Sequence, residues 1–180
     1  MNIKKSYLLL SLLFAFNSIQ NFSQNSVNFS FHQDFKLLAL GDDLGNRAGT
    51  FNFLGRLKYE AQAGKIGYYV FGTEYEEAIL STKYSRLGGF LGYSFMDVFN
   101  NYNIHITPTI GYGKIFRAGT NLNSWSGAVE FQYFINDKIR VSLLNQVTQR
   151  TDLEFLYDDL KYRYSFFLGV EFKLFTPKKN

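Results

Sequence analysis

Apolar and polar residues alternate along eight separate stretches of this chain, and that alternation limits its fold more than any other feature. Successive side chains of a strand point to opposite faces, so a period of two reads as a strand with one apolar and one polar side. Over residues 51–62, one face carries Phe51, Phe53, Gly55, Leu57, Tyr59 and Ala61, and the other carries Asn52, Leu54, Arg56, Lys58, Glu60 and Gln62. The same split recurs over 27–38, 68–76, 87–96, 104–113, 125–134, 139–148 and 162–175. Each stretch is long enough to cross a bilayer as a tilted strand of about 9–11 residues.

The connections alternate in length. Tight turns are expected at 63–65, 100–103 and 136–138, and longer loops at 41–50, 77–86, 115–124 and 149–161. Short turns on one side and longer loops on the other are the outer-membrane barrel pattern. The expectation is an all-β, eight-stranded, antiparallel up-and-down transmembrane β-barrel.

A soluble barrel with its apolar face inward has the same periodicity. Bulk separates the two. The chain holds 20 Phe, 13 Tyr and one Trp, and most of them fall on the apolar face. An eight-stranded interior is just wide enough for side chains, so that face would overfill it. The polar face is rich in Gly and Ser and fits inside. Phe51, Tyr59, Trp125, Tyr133, Tyr162 and Phe172 lie near segment ends, where interfacial girdles form.

Residues 1–24 read as a cleaved secretory leader. Lys4 and Lys5 precede an apolar run over 7–16, too short for a membrane span, and a polar stretch over 17–24 follows. Cleavage is expected near Ser23 or Gln24, which leaves 25–180 as the barrel. With no Cys, disulfides, Cys-ligated metals and Cys-linked lipid are excluded. The 19 basic residues outnumber the 15 acidic ones, but the leader holds two bases and no acid. The small remaining surplus is interspersed with acids and forms no stripe for nucleic acid.

In residues 106–113 the Pro108-x-x-Gly111-x-Gly113 stretch, and in 134–139 the Asn136-Asp137-Lys138 turn, resemble features of the small OmpA/OmpX-type outer-membrane barrels. The alternating end Val170-Glu171-Phe172-Lys173-Leu174-Phe175 resembles their aromatic C-terminal signature, although Thr176 and four further residues follow it. The resemblance covers nearly all of 25–180 and implies Gram-negative outer-membrane residence. It also implies contact with outer-membrane lipid and lipopolysaccharide, and insertion by the barrel-assembly machinery. No wall-binding domain of the OmpA kind is present in the sequence.

Chemistry-bearing motifs are sparse. Residues 88–92 hold three Gly inside a strand and not at a strand-to-helix turn, so they do not cradle phosphate. Residues 41–46 lack the spacing of a calcium loop. No cofactor, metal or catalytic residue is assigned. Eight-stranded barrels include lipid A palmitoyltransferases and deacylases, and the deacylases carry a His-x-Ser-Asn type motif. Here His105 is followed by Ile106, Thr107 and Pro108, so that motif is incomplete.

Two residue sets remain. The first is a charge network on the polar face: Asp34, Arg56, Glu74, Glu130, Arg140 and Glu171. Opposite signs on neighbouring strands would neutralise one another in a confined lumen. Arg56 is expected between Asp34 and Glu74, and Arg140 opposite Glu171. The second is a contact site on the last long loop, Asp152, Phe155, Tyr157 and Asp158, where a protein partner could dock. The reading is a non-enzymatic, porin-like envelope barrel with a charge-plugged lumen, acting structurally or through its loops. The alternatives are a lipid A-modifying enzyme or a small passive pore.

Overall fold

Among the residues that the computed structural model describes (25–42, 46–62, 64, 66–78, 83–158 and 162–176), eight antiparallel strands pair in chain order. They are β1 (Ser26–Asp34), β2 (Asn52–Gln62), β3 (Gly67–Ala78), β4 (Tyr84–Phe95), β5 (Ile104–Arg117), β6 (Thr120–Phe134), β7 (Ile139–Gln149) and β8 (Tyr162–Phe175). β8 pairs back onto β1, with a register shift between Val27 and Asn28, and closes the barrel. Closure gives every strand a partner on both sides, although β6 is paired with β7 only from Ser126 on. Short helices α1 (Phe35–Ala39) and α2 (Thr151–Tyr157) follow β1 and β7 at the loop end, opposite the end where β1 begins and β8 stops. The expected leader, the tip 43–45, residues 63, 65, 79–82 and 159–161, and the tail 177–180 lie outside the described residues.

The faces are inverted relative to a soluble protein. Large apolar side chains point outward: Leu57 is 47% exposed, Tyr69 57%, Leu91 63% and Trp125 56%. Charged side chains point inward: Arg56 is 1% exposed, Lys58 2% and Glu130 0%. A barrel with its apolar face inward would show the reverse, so the soluble alternative is excluded. No helix among the described residues is long and apolar enough to cross a membrane; most of the large exposed apolar side chains belong to strands.

Small residues make room inside. Gly169 sits opposite His32, and a Cβ on it would lie 2.3 Å from the His32 ring and 2.5 Å from the Phe31 carbonyl oxygen. Three apolar clusters interrupt the polar interior: Leu54 with Leu144 and Phe167, Ala78 with Tyr84 and Ile115, and Tyr68 with Val70 and Phe90.

The ends of several elements differ from the sequence expectation: β3 runs to Ala78 and β4 starts at Tyr84, both inside the expected loop 77–86, and three further places stand out. β1 stops at Asp34, whose carboxylate accepts the Leu37 backbone N–H at 3.2 Å and turns the chain into α1. Leu37, expected on the lipid side, is therefore buried inside, while Lys36, expected inside, is exposed. The expected loop 115–124 is instead strand, because β5 and β6 continue to a two-residue turn at Ala118 and Gly119, with φ of 49° and 78°. That positive-φ pair suits a tight hairpin. Beyond Gly113 one pair breaks the pattern, with Lys114 outside and Ile115 buried inside, before Phe116 outside and Arg117 inside resume it. Third, the β4–β5 connection runs from Phe95 to Ile104 and not through a tight turn at 100–103. It is shaped by positive φ at Asp97, Phe99 and Asn100 and by a Val98–Asn101 bridge.

Candidate functional site: the charged interior and its two ends

Inward positions of neighbouring strands meet at the same depth, and an eight-stranded lumen is narrow enough for long side chains to cross it. At the centre, Glu130 of β6 accepts from Arg56 Nη1 at 3.2 Å and from Lys58 Nζ at 3.0 Å, both on β2 across the lumen. Arg56 Nε lies 3.3 Å from Glu74 of β3, and its guanidinium stacks 3.7 Å over the Phe90 ring. Arg86 of β4 also binds Glu74 and donates to Ser126 at 3.0 Å. Gly111 leaves the space for this cluster, since a Cβ there would lie 2.5 Å from Ser126 Oγ. Lys58 reaches Glu171 of β8 as well. Arg140 of β7 donates to Glu171 at 2.9 Å and to Glu60 at 2.9 Å.

The structure thus brings together five of the six network residues: Arg56, Glu74, Glu130, Arg140 and Glu171. Asp34 stands apart, which corrects the expected Asp34–Arg56 pair. The register sets Ser30 opposite Arg56, and Asp34 lies at the loop end, where it caps α1 and sits 3.9 Å from Arg163. The second acid on Arg56 is Glu130, from a strand that is not its neighbour. Arg86, Arg117 and Arg150 were missed as interior residues. Carrying the strand parity two or four residues past the read segments, from Gly88 to Arg86, Gly113 to Arg117 and Thr148 to Arg150, would have found them.

His32, Ser142 and Glu130 have the residue types of a hydrolytic triad but not its geometry. His32 Nε2 is 2.8 Å from Ser142 Oγ, yet Glu130 lies on the same nitrogen at 3.7 Å and Nδ1 has no hydrogen-bond partner. A triad needs the acid on the other nitrogen and access for substrate. All three side chains are fully buried. Among the described residues no cluster could hold a metal ion.

At the loop end, Asp152 was expected in an exposed contact site and is instead 1% exposed. Two arginines draw it into the barrel mouth: Arg150 donates to it twice at 2.7 Å and Arg117 at 2.9 Å. Leu153 is buried beside it. Phe155 is 64% exposed, and Asp158 is exposed at the end of α2 with a φ of 52°. Tyr157 ends α2, and its side chain lies outside the described residues.

Burial alone would raise the Asp152 carboxyl, but hydrogen bonds and charge from Arg150, then Arg117, hold it below its ordinary 3.8. A carboxyl depressed in the folded state stabilises above its unfolded value, and that contribution is lost as pH falls through the folded value. Amide exchange in α2, taken relative to its intrinsic rate, is therefore expected to be slow at neutral pH and to accelerate as pH falls below 3.8. Asp152→Asn should speed it at neutral pH while the strands stay protected. Unchanged α2 exchange in that variant would show that the helix is held by other contacts.

No protein-family model matches the chain, and no curated protein matches it significantly. Solved structures do resemble it. The outer membrane protein Ail of Yersinia pestis in a phospholipid bilayer nanodisc is 11% identical with a TM-score of 0.53, over 84% of this chain and 99% of that one. The crystal structure of Ail, the attachment invasion locus protein of Yersinia pestis, is 10% identical with a TM-score of 0.48, over 84% and 98%. The neisserial surface protein NspA is 9% identical with a TM-score of 0.46, over 84% and 96%. At such identities the likeness is one of fold. By that fold the chain is a closed eight-stranded barrel of the small outer-membrane type.

Proposed function

We propose that this protein is a non-enzymatic barrel of the Gram-negative outer membrane whose lumen is plugged by its own ion pairs and whose work is done at the loop end. One observation carries the reading: acids and bases fill the interior and contact one another, while large apolar side chains cover the outside. Such a surface needs lipid around it, and such an interior leaves no wide aqueous path. In this reading residues 1–24 direct export and are removed, and the assembly machinery inserts the barrel. Both chain ends then face the periplasm, because the strand number is even. Phe155, with Asp158 beside it, is the contact point for lipopolysaccharide or a protein partner.

The test combines two measurements on protein purified from membranes. The folded form should migrate differently from the heated form on a detergent gel, and planar bilayers should show no steady conductance. Steady single-channel currents would make the protein a pore, and recovery as a soluble periplasmic protein would overturn the placement. Lipid A of unchanged mass in cells with and without the protein is the expected result against the enzyme alternative.

A further inference from the structure

At the end where β1 begins and β8 stops, the interior opens into a vestibule of about 410 Å³. Its two sides differ in chemistry. One side is apolar and aromatic: Tyr68, Met96 and Phe134, with the His105 ring 4.3 Å from that of Phe134. His105 is engaged, since its Nδ1 is 2.9 Å from the Tyr68 hydroxyl. The other side carries Glu60, Arg140 and Lys173.

Charge balance singles out one of these. Behind the vestibule, Glu60, Glu74, Glu130 and Glu171 face Arg56, Lys58, Arg86 and Arg140, and each acid contacts at least one of those bases. That set is neutral by itself. Lys173 is additional: it is half-buried, it lines the vestibule, and its ammonium makes no ion pair among the described residues. Asp97, on the β4–β5 connection, does not line the cavity. A concave site with an apolar wall and one cation that has no acid partner among the described residues fits an anion that has an apolar body.

We propose that the vestibule binds a small organic anion, its carboxylate or phosphate on Lys173 and its compact apolar or aromatic body against Met96 and Phe134. The cavity is lined by inward-facing positions and strand-end residues and by none of the apolar outer belt. The anion is therefore a free solute of the compartment at that end and not a lipid headgroup. The site is independent of the loop-end reading above.

The chain has two methionines, Met1 and Met96, so a ¹³C-methyl methionine label reports on the vestibule almost alone. The barrel is purified from membranes and placed in nanodiscs of uncharged lipid, and Met96→Leu assigns its resonance. Benzoate should shift the Met96 methyl signal saturably, with the isosteric neutral benzamide several-fold weaker. Lys173→Gln should abolish the preference for benzoate. Lys138→Gln, an exposed lysine on the adjacent turn, should keep it. Heat-modifiable migration checks that each variant is folded. Equal binding of benzoate and benzamide, an unsaturable shift, or a preference that survives Lys173→Gln would overturn the proposal. A shift produced by anionic lipid but not by benzoate would overturn it in favour of a headgroup site.

Discussion

Glu130→Gln is expected to cost the barrel roughly 3–5 kcal/mol, the loss typical of breaking a buried ion pair from one side. Glu130 is the acid on which the central network depends most, because Arg56, Lys58 and the His32 ring all converge on it. Its side chain is fully buried, so no water replaces the lost charge. Arg56→Gln should cost a similar amount, because each substitution leaves one unbalanced charge among partners that keep other contacts. Glu74 retains Arg86 and Glu130 retains Lys58, just as Arg56 retains Glu74 and Lys58 retains Glu171 when Glu130 is changed. The double variant Glu130→Gln with Lys58→Gln should recover part of the single loss, since it removes a base along with the acid. Glu171 would still hold Arg140. Urea unfolding in lipid, followed by Trp125 fluorescence, measures all of these. A Glu130→Gln barrel as stable as wild type would show that the network is hydrated and weak, and would favour an open lumen.

Leu57→Arg tests the opposite face. Leu57 lies in the middle of β2, paired with Phe29 and Thr73 on the neighbouring strands, and its side chain is 47% exposed on the outer surface. An Arg near the bilayer midplane of such a barrel costs about 2–4 kcal/mol. The same substitution should be nearly neutral at Phe155, which is exposed beyond the barrel mouth. Refolding yields into phospholipid vesicles, compared at equal urea, give the difference. If Leu57→Arg folds as well as wild type, the belt is not in lipid.

The face of each residue was legible because parity is local. Once a segment is extended, alternate residues must point in opposite directions whatever the rest of the chain does. That is why Arg56, Glu74, Glu130, Arg140 and Glu171 could be placed inside from sequence, and Phe29, Leu57 and Leu168 outside. The reading weakened where the surroundings of a strand change. Toward the loop end the mouth takes in apolar side chains, Leu37, Ile115 and Leu153, among the polar ones, so alternation no longer marks where a strand stops. Tyr84, Arg86, Arg117 and Arg150 keep the inward parity but lie beyond the stretches of clean alternation, and Asp152 is drawn inside by Arg117 and Arg150, which alternation does not register.

The sequence by itself therefore determined the class of fold, the number of strands and the inside and outside of each. Only the tertiary structure decided the partners. Which acid meets Arg56 depends on the depth each strand reaches after tilt and stagger, and those are set by closing β8 onto β1. The β1–β2 register put Ser30 and not Asp34 beside Arg56, and the closed ring brought Glu130 to it across the lumen and left Lys173 without an acid among the described residues. Alternation constrains direction one residue at a time, whereas depth is a property of the whole ring of strands.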